Sequence, residues 1–337
     1  MKHKKLQILV PQYKETEEMI SFLLDSIEFQ KEIDKKDIGV IICSDGGEYV
    51  LDKKFLKKYS YDIEYKICEH KGVSATRNAA FDLSDSDYVM YCDADDGFCS
   101  IFAIKIIFEN IKRCEEVDKE PFDILSSKFY YEVCEKENKP WDLQLNDHNN
   151  TFIHGLIYRR KFLEDNGIRF KDYIWANEDS YFNITAGFYS KKTMKMDVPI
   201  YCWRENVNSV SNDPMFIMKT LHQLIHSNDC VIDEEYKLHK TDKEIATTTF
   251  DCICRSYLEM NKPSWRDPAN KEYFDITMTT LKDFITRRGD MCKVLTDDEK
   301  KNILQIARNS PHYGCIENVT FNDFIKFVMN YTEKKEM

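Results

Sequence analysis

The stretch that decides the fold is DYVMYCDADDGF, residues 87–98. An apolar run, Tyr88-Val89-Met90-Tyr91-Cys92, stops at three carboxylates in four positions: Asp93, Asp95 and Asp96. A run so short and so apolar reads as a buried strand. Like charges held this close raise one another's pKa and cost stability unless a cation or hydrogen-bond donors offset them. The question for the rest of the chain is what gathers at this strand end.

Upstream, LQILV (6–10) reads as a strand ending at Pro11. Ile20, Leu23, Leu24 and Ile27 then share one helical face, with Thr16 placed as N-cap and Glu17 and Glu18 in the first turn. IGVIIC (38–43) is a second strand, followed by the turn signal SDGG, and IEYKIC (63–68) is a third. Ser74 opens a short helix, ATRNAAFDL, and an apolar helix over about 100–112 follows the acidic strand end. Alternating strands and helices imply a parallel sheet covered by helices. Ligands of such sheets bind beyond the carboxyl ends of the strands. Pro11 to Tyr13, Asp45 and Asp93 to Asp96 therefore fall on one rim, outside the core.

From 121 the pattern loosens into a strand-like FDILSSKFYYEV and an expected loop at 135–150. After YCWRENVNSVSND (201–213), helical periodicity with few glycines takes over, so a boundary is expected near 213. The reading is a catalytic domain over 1–213 and a helical domain over 214–337.

The 337 residues, 42% hydrophobic and 32% charged, describe a globular chain. No window holds about 18 consecutive apolar residues, so no membrane span is expected. LQILV is too short for a signal-peptide core, which points to the cytoplasm. Twelve cysteines show no framework spacing, and Cys252 and Cys254 are too close for a zinc knuckle. Buried free thiols are expected. A net charge of −11 disfavours non-specific grip on nucleic acid or anionic membrane, despite the local basic clusters YRRK (158–161) and Lys191-Lys192.

The acids at 93–96 admit several readings. Asp95 or Asp96 could cap the next helix, with Gly97 in the turn. An EF-hand is excluded, because its loop needs an acid, a glycine and a Glu where Gly97, Phe98 and Ile104 stand. An Asp-x-Asp phosphatase also places acids after an apolar strand, but usually the first strand of its sheet. A divalent Mg²⁺ or Mn²⁺ with a diphosphate would neutralise the cluster through oxygen ligands.

Four segments, in order, resemble family 2 of the glycosyltransferases with the GT-A fold. ILVPQYKETEEMISFLLDSI is similar to that family's opening strand and helix, and VIICSDGG to its second strand and acidic turn. HKGVSATRNAAFDLSDSDYVMYCDADD resembles its G-x-S-x-A-R-N segment running into the Asp-x-Asp strand, and NEDSYFNITAGF its Glu-Asp motif. The likeness spans roughly 6–212. Lys14 stands where the family usually has Asn, and Ser44 replaces the first acid of the turn.

The resemblance implies an α/β GT-A fold, Rossmann-like, with a mainly parallel sheet and flanking helices. It implies an inverting, metal-dependent transfer from a nucleotide sugar, most often UDP-linked. Pro11, Tyr13, Asp45, Arg77, Asp93, Ala94, Asp95 and Arg204 are then expected around the nucleotide. Asp93 and Asp95 would hold Mn²⁺ or Mg²⁺, and Asp45 would face the base. Asp179 would be the general base, with Glu178 orienting the site. Packing for Tyr13, a helix start for Glu178-Asp179 and a surface position for Arg77 stand as the structural alternatives. His154 reads equally as acceptor lining or as a packed ring. The acceptor is not legible: a polysaccharide, a lipid-linked glycan, a protein or a modified nucleic-acid base all fit. The helical domain is expected to serve acceptor recognition or homo-oligomer contacts. The rival functions are the phosphatase and a degenerate protein that binds a sugar nucleotide without turnover.

Overall fold

The computed structural model describes residues 2–133, 142–148, 151–205, 213–310 and 319–332. Of the expected loop at 135–150, residues 142–148 are described, and they contain a strand. The segment 206–212, just before the expected boundary, lies outside the described residues. The chain divides into two compact units, residues 1–209 and 210–337.

The first unit is built on β1 (Lys4–Gln12), β2 (Ile38–Asp45), β3 (Asp62–Cys68) and β4 (Ser86–Tyr91), followed by β5 (Gly97–Phe98), β6 (Ile124–Val133), β7 (Asp142–Asn146), β8 (Leu156–Arg159) and β9 (Thr193–Trp203). They form one sheet in the order β3-β2-β1-β4-β8-β6-β9-β5, with β7 paired to β6. The first four strands are all parallel. Beyond β4 the sheet turns mixed: β8 runs antiparallel to β4 and to β6, and only β6 and β9 pair in parallel. The expected parallel half is thus the half that carries the first three of the four motif segments, and the remainder is a mixed extension. Alternation along β1 and β4 splits the core between the two faces. Leu6, Ile8, Val10, Tyr88 and Met90 pack on one face with Ile20, Leu23, Leu24 and Ile27 of α1 (Glu17–Glu28). Leu9, Val89 and Tyr91 pack on the other with Ala80, Phe81 and Phe182. Thr16 caps α1 as expected, its hydroxyl accepting from Met19 N.

After the short α2 (Lys53–Leu56) come α3 (Val73–Leu83), α4 (Ala103–Arg113), α5 (Arg160–Asp165) and α6 (Glu178–Tyr189). The register places Gln12 opposite Ser44, so β1 and β2 end at one level, while β4 ends at Tyr91 opposite Leu9 and its chain runs on through Cys92, whose N–H donates to the Leu9 carbonyl, toward the same rim.

The second unit comprises α7 (Phe216–Lys237), α8 (Asp242–Met260), α9 (Lys271–Arg288), α10 (Asp297–Arg308) and α11 (Phe321–Asn330). Thr241 and Thr296 each close a capping box with the Glu three residues on, satisfying donors that the first turn leaves open. Leu221, Ile225, Ile253, Tyr257, Leu281, Phe284 and Val328 meet in its core. The described cysteines are free thiols, and Cys252 and Cys254 are buried. No described helix is long and apolar enough to cross a membrane.

Candidate active site

The rim of the parallel half carries two groups of polar side chains. The first lies at the end of β2. Asp45 is buried there, and its carboxylate accepts from Lys71 N (2.8 Å) and Gly72 N (3.1 Å) and contacts His70 Nδ1 (3.0 Å). This folds the 69–72 segment back onto the strand end and delivers the chain to α3. Gly72 sits at φ 90°, a conformation that favours glycine. Gly46 allows the close approach: a Cβ there would lie 2.8 Å from that of His70. The His70 ring stacks on Tyr13 at 5.1 Å and 13°. Tyr13, His70 and Asp45 thus make one wall. Pro11, half-buried, ends the level run of β1 beside it.

The second group surrounds Arg77, on the second turn of α3. Its guanidinium is buried and shared among three acids: Nη1 donates to Glu178 (2.9 Å) and Asp179 (2.5 Å), and Nη2 to Asp93 (2.9 Å). Arg77 is therefore no surface residue. It joins the turn after β4 to the start of α6, about 85 residues apart in sequence. Its position over the Phe170 ring, 5.2 Å away, fixes it further. Asn177, just before α6, takes a left-handed φ of 62° and turns Glu178 and Asp179 toward this cation. Asp179 also accepts from Ile153 N at 3.3 Å.

The acids respond differently. Beyond the cost of burial, the adjacent Arg77 and His154 hold the Asp93 carboxyl well below the usual range. Burial, with Glu178 and Asp93 nearby, pushes Asp179 up to about 7 against the pull of Arg77. Asp96 is raised well above the ordinary value by burial and by the charges of Asp93 and Asp95. It does not cap α4, whose first turn has no side-chain cap. It accepts instead from Tyr201 Oη (2.5 Å) and Arg204 N (2.8 Å), tying the end of β9 to the acidic turn.

Asp93, Asp96 and His154 each offer one ligand atom, and these atoms lie within 4.8 Å of one another. His154 Nε2 is 3.7 Å from Asp93 Oδ2 and 3.9 Å from Asp96 Oδ2. Two carboxylates and an imidazole suit a divalent cation, which would offset the repulsion that raises Asp96. Sequence reasoning put Asp93 and Asp95 in this role. Among the described residues the compact trio is Asp93, Asp96 and His154. Asp95 lies half-buried at the same turn and, after burial, helps to raise the carboxyl of Glu15. Ala94 is buried in the core. The Arg204 guanidinium lies on Glu132 (3.1 Å) and over the Phe22 ring (4.0 Å).

Several participants had no assigned role in the sequence. Glu15 closes the quoted VPQYKE and has its carboxylate on Tyr13 N. His70 and Tyr201 carried no motif signal, because their roles depend on stacking and on a strand that returns late in the chain.

Comparison with known proteins bears on the family and the fold. Residues 7–164 match the profile described as "Glycosyl transferase family 2". The chain is 26% identical over 234 residues to the uncharacterized glycosyltransferase EpsJ of Bacillus subtilis (strain 168), covering 62% of this chain and 63% of that protein. It is 26% identical over 194 residues to the poly(ribitol-phosphate) beta-glucosyltransferase of Bacillus spizizenii, covering 56% of this chain and 30% of that protein. It therefore spans less than two thirds of either relative. Among solved structures, TarS 1-349 of S. aureus in complex with UDP superposes with a TM-score of 0.63 at 17% identity, covering 90% of this chain and 87% of that one. That likeness shows the fold. Motif order, profile and fold agree on a match to glycosyl transferase family 2 over residues 7–164, just under half of the chain, within a GT-A-like fold followed by a helical C-terminal region.

Proposed function

We propose that the protein transfers a sugar from a UDP-sugar to an acceptor hydroxyl with inversion, in the presence of a divalent cation. One observation carries the reading: Arg77 bonds both Asp93, on the nucleotide side of the rim, and Asp179, on the other. A single buried guanidinium thus fixes the spacing between a diphosphate-side acid and a base candidate. The TarS structure holds UDP, and the Bacillus spizizenii relative is named as a beta-glucosyltransferase, which supports the donor and a β-linked product.

In this reading Tyr13, Asp45 and the backbone near Pro11 and Ala94 receive the nucleoside, and Arg204 approaches the diphosphate. Asp93 and Asp95, with Asp96 and His154 adjoining, would hold Mn²⁺ or Mg²⁺. When bound, the cation stabilises the charge of the departing diphosphate. The acceptor oxygen attacks the anomeric carbon as the bond from that carbon to the diphosphate oxygen breaks. The diphosphate leaves with the electron pair, and the acceptor proton passes to Asp179. Glu178 shares Arg77 and keeps Asp179 oriented. A base whose pKa lies near 7 suits proton transfer at neutral pH. Residues 214–337 we assign to acceptor recognition or oligomer contacts. A soluble truncation after 213 that keeps full transfer to the natural acceptor would contradict that assignment.

The deciding experiment screens nucleotide sugars for donor hydrolysis with Mn²⁺ or Mg²⁺, then reads the product's anomeric configuration by NMR coupling. A UDP-sugar should be hydrolysed, and an α-donor should give a β-product. Retention, or hydrolysis of simple phosphoesters without nucleotide-sugar binding, would overturn the reading. Calorimetry of Asp95→Asn checks the cation: UDP binding should lose its dependence on Mn²⁺, and binding indifferent to chelator in the parent protein would remove the metal from the scheme.

A further inference from the structure

Three of the four most exposed aromatic rings among the described residues of the first unit belong to segments that flank Asp179. They are Tyr173 (61% exposed), Trp175 (46%) and Phe152 (43%). Phe152 lies on one side of the base. Its neighbour Ile153 donates to Asp179, and its own carbonyl accepts from Asn183 Nδ2 (2.8 Å), one helical turn beyond Asp179 on α6. One face of its ring stacks on His154 at 5.6 Å and 11°, and Trp203 packs against it at 5.7 Å and 38°. Tyr173 and Trp175 lie in the irregular approach to the base, Tyr173 in a turn closed by Ile174 N on the Lys171 carbonyl at 2.9 Å. Ile174, between them, is fully buried, and its carbonyl accepts from Ser74 Oγ at 2.5 Å. Ala176 is also buried. Inward Ile174 and Ala176 alternate with outward Tyr173 and Trp175, so anchoring the backbone presents both rings to solvent. Trp175 is four residues from Asp179, within about 14 Å of chain.

The three rings stay exposed beside the carboxylates of the rim. We infer that Phe152, Tyr173 and Trp175 form a platform for a carbohydrate acceptor, placing its hydroxyl at Asp179. The inference rests on Asp179 being the base of the proposed transfer. The negative face of an aromatic ring attracts the polarised C–H bonds on the flat face of a pyranose. Carboxylates around the rings accept the hydroxyls at the sugar's edge: Glu178 and Asp179 from α6, and exposed Asp172 beside Tyr173. The same carboxylates and the net charge of −11 repel a nucleic-acid acceptor, whose bases would otherwise stack equally well. The assigned class is therefore a glycan.

The test uses the full chain. Its tryptophan emission is followed while soluble cello-, chito- and manno-oligosaccharides, and a single-stranded oligonucleotide, are titrated in. At least one oligosaccharide series should shift the emission to the blue. Trp175→Ala should abolish that shift and weaken binding by about three- to tenfold, the size of one aromatic contact. Trp175→Phe should retain affinity in calorimetry, since it keeps a ring. Tyr173→Ala and Phe152→Ala should each raise the KM for the bound series as acceptor by a similar factor. Phe29→Ala, removing an equally exposed ring at the end of α1, should leave binding unchanged. Binding of the oligonucleotide but no oligosaccharide overturns the inference, as does oligosaccharide binding indifferent to all three ring deletions. Donor hydrolysis by the parent protein separates the two levels. If it is present while the platform test fails, only the platform is wrong; if no nucleotide sugar is hydrolysed, the underlying reading fails.

Discussion

The two groups on the rim solve the same problem differently. At the end of β2, one carboxylate, Asp45, is neutralised locally by backbone N–H groups of a single turn. Around Arg77, three carboxylates from two distant segments share one buried cation. The local solution depends on a few adjacent residues and can lose a partner with limited damage. The shared solution leaves every acid exposed to the loss of one side chain, because a buried charge without its partner is strongly destabilising. It also couples the acids electrostatically, which is how one comes to lie well below the ordinary carboxylate range and another at about 7.

The largest effect is expected on the shared side. Asp179→Asn keeps shape but removes the proton acceptor, so transfer should fall by roughly 10²–10⁴. UDP affinity should barely change, because the nucleotide wall lies at Asp45. Single-turnover kinetics and calorimetry measure the two separately, and near-normal turnover in the variant would remove the base role. Next comes Arg77→Met. It strips the cation from Asp93, Glu178 and Asp179 at once, and should cost about 3–5 kcal/mol in urea denaturation. Arg77→Lys restores charge without the planar fork and should recover part of that stability but little activity. If Arg77→Met proves as stable as the parent, the acids are not held by this residue.

A smaller effect comes from pH. Burial and its acidic neighbours raise the Asp179 carboxyl to about 7, and the base works only when ionised. Transfer should therefore rise with pH through about 7, falling by up to about tenfold per unit below it. Asp93, held low by Arg77, stays ionised across that window and should not contribute to the profile. A flat rate between pH 6 and 8, roughly one unit to each side, would place the titrating group elsewhere.

The same contrast explains what the sequence disclosed. Strand ends, caps and turns follow from neighbouring residues, so β1 to β4, the Thr16 cap and the position of Asp45 on the rim were legible. The burial of Arg77 was not: a guanidinium reads as surface until its three partners, two of them a hundred residues away, are brought to it. Asp96 was legible only as an acid of unknown purpose, since its donors, Tyr201 and the Arg204 N–H, arrive on the penultimate strand of the sheet order. His154 likewise had no visible partner until β8 ran antiparallel beside β4 and carried it to Asp93. The mixed half of the sheet escaped for a related reason, because antiparallel return of β8 is decided by packing across the sheet and not by local alternation.

The smallest effect should come from the local side, and it tests the comparison most directly. Asp45→Asn is isosteric, but one carboxylate oxygen becomes an NH₂ that donates. The remaining oxygen can accept from Lys71 N or from Gly72 N, and the other N–H then faces a donor. The loss is one charge-assisted hydrogen bond, about 1–2 kcal/mol in urea denaturation, well under that for Arg77→Met. His70 also loses its anionic contact, so its stack on Tyr13 should loosen and UDP affinity should drop by a factor of about ten. Transfer from saturating donor should remain close to that of the parent, since Asp93, Arg77 and Asp179 are untouched. Calorimetry with UDP and a rate measured at saturating UDP-sugar separate these outcomes. An Asp45→Asn variant that loses turnover at saturation as severely as Asp179→Asn would mean that the two groups are one cooperative network, and the distinction between local and shared compensation would fail.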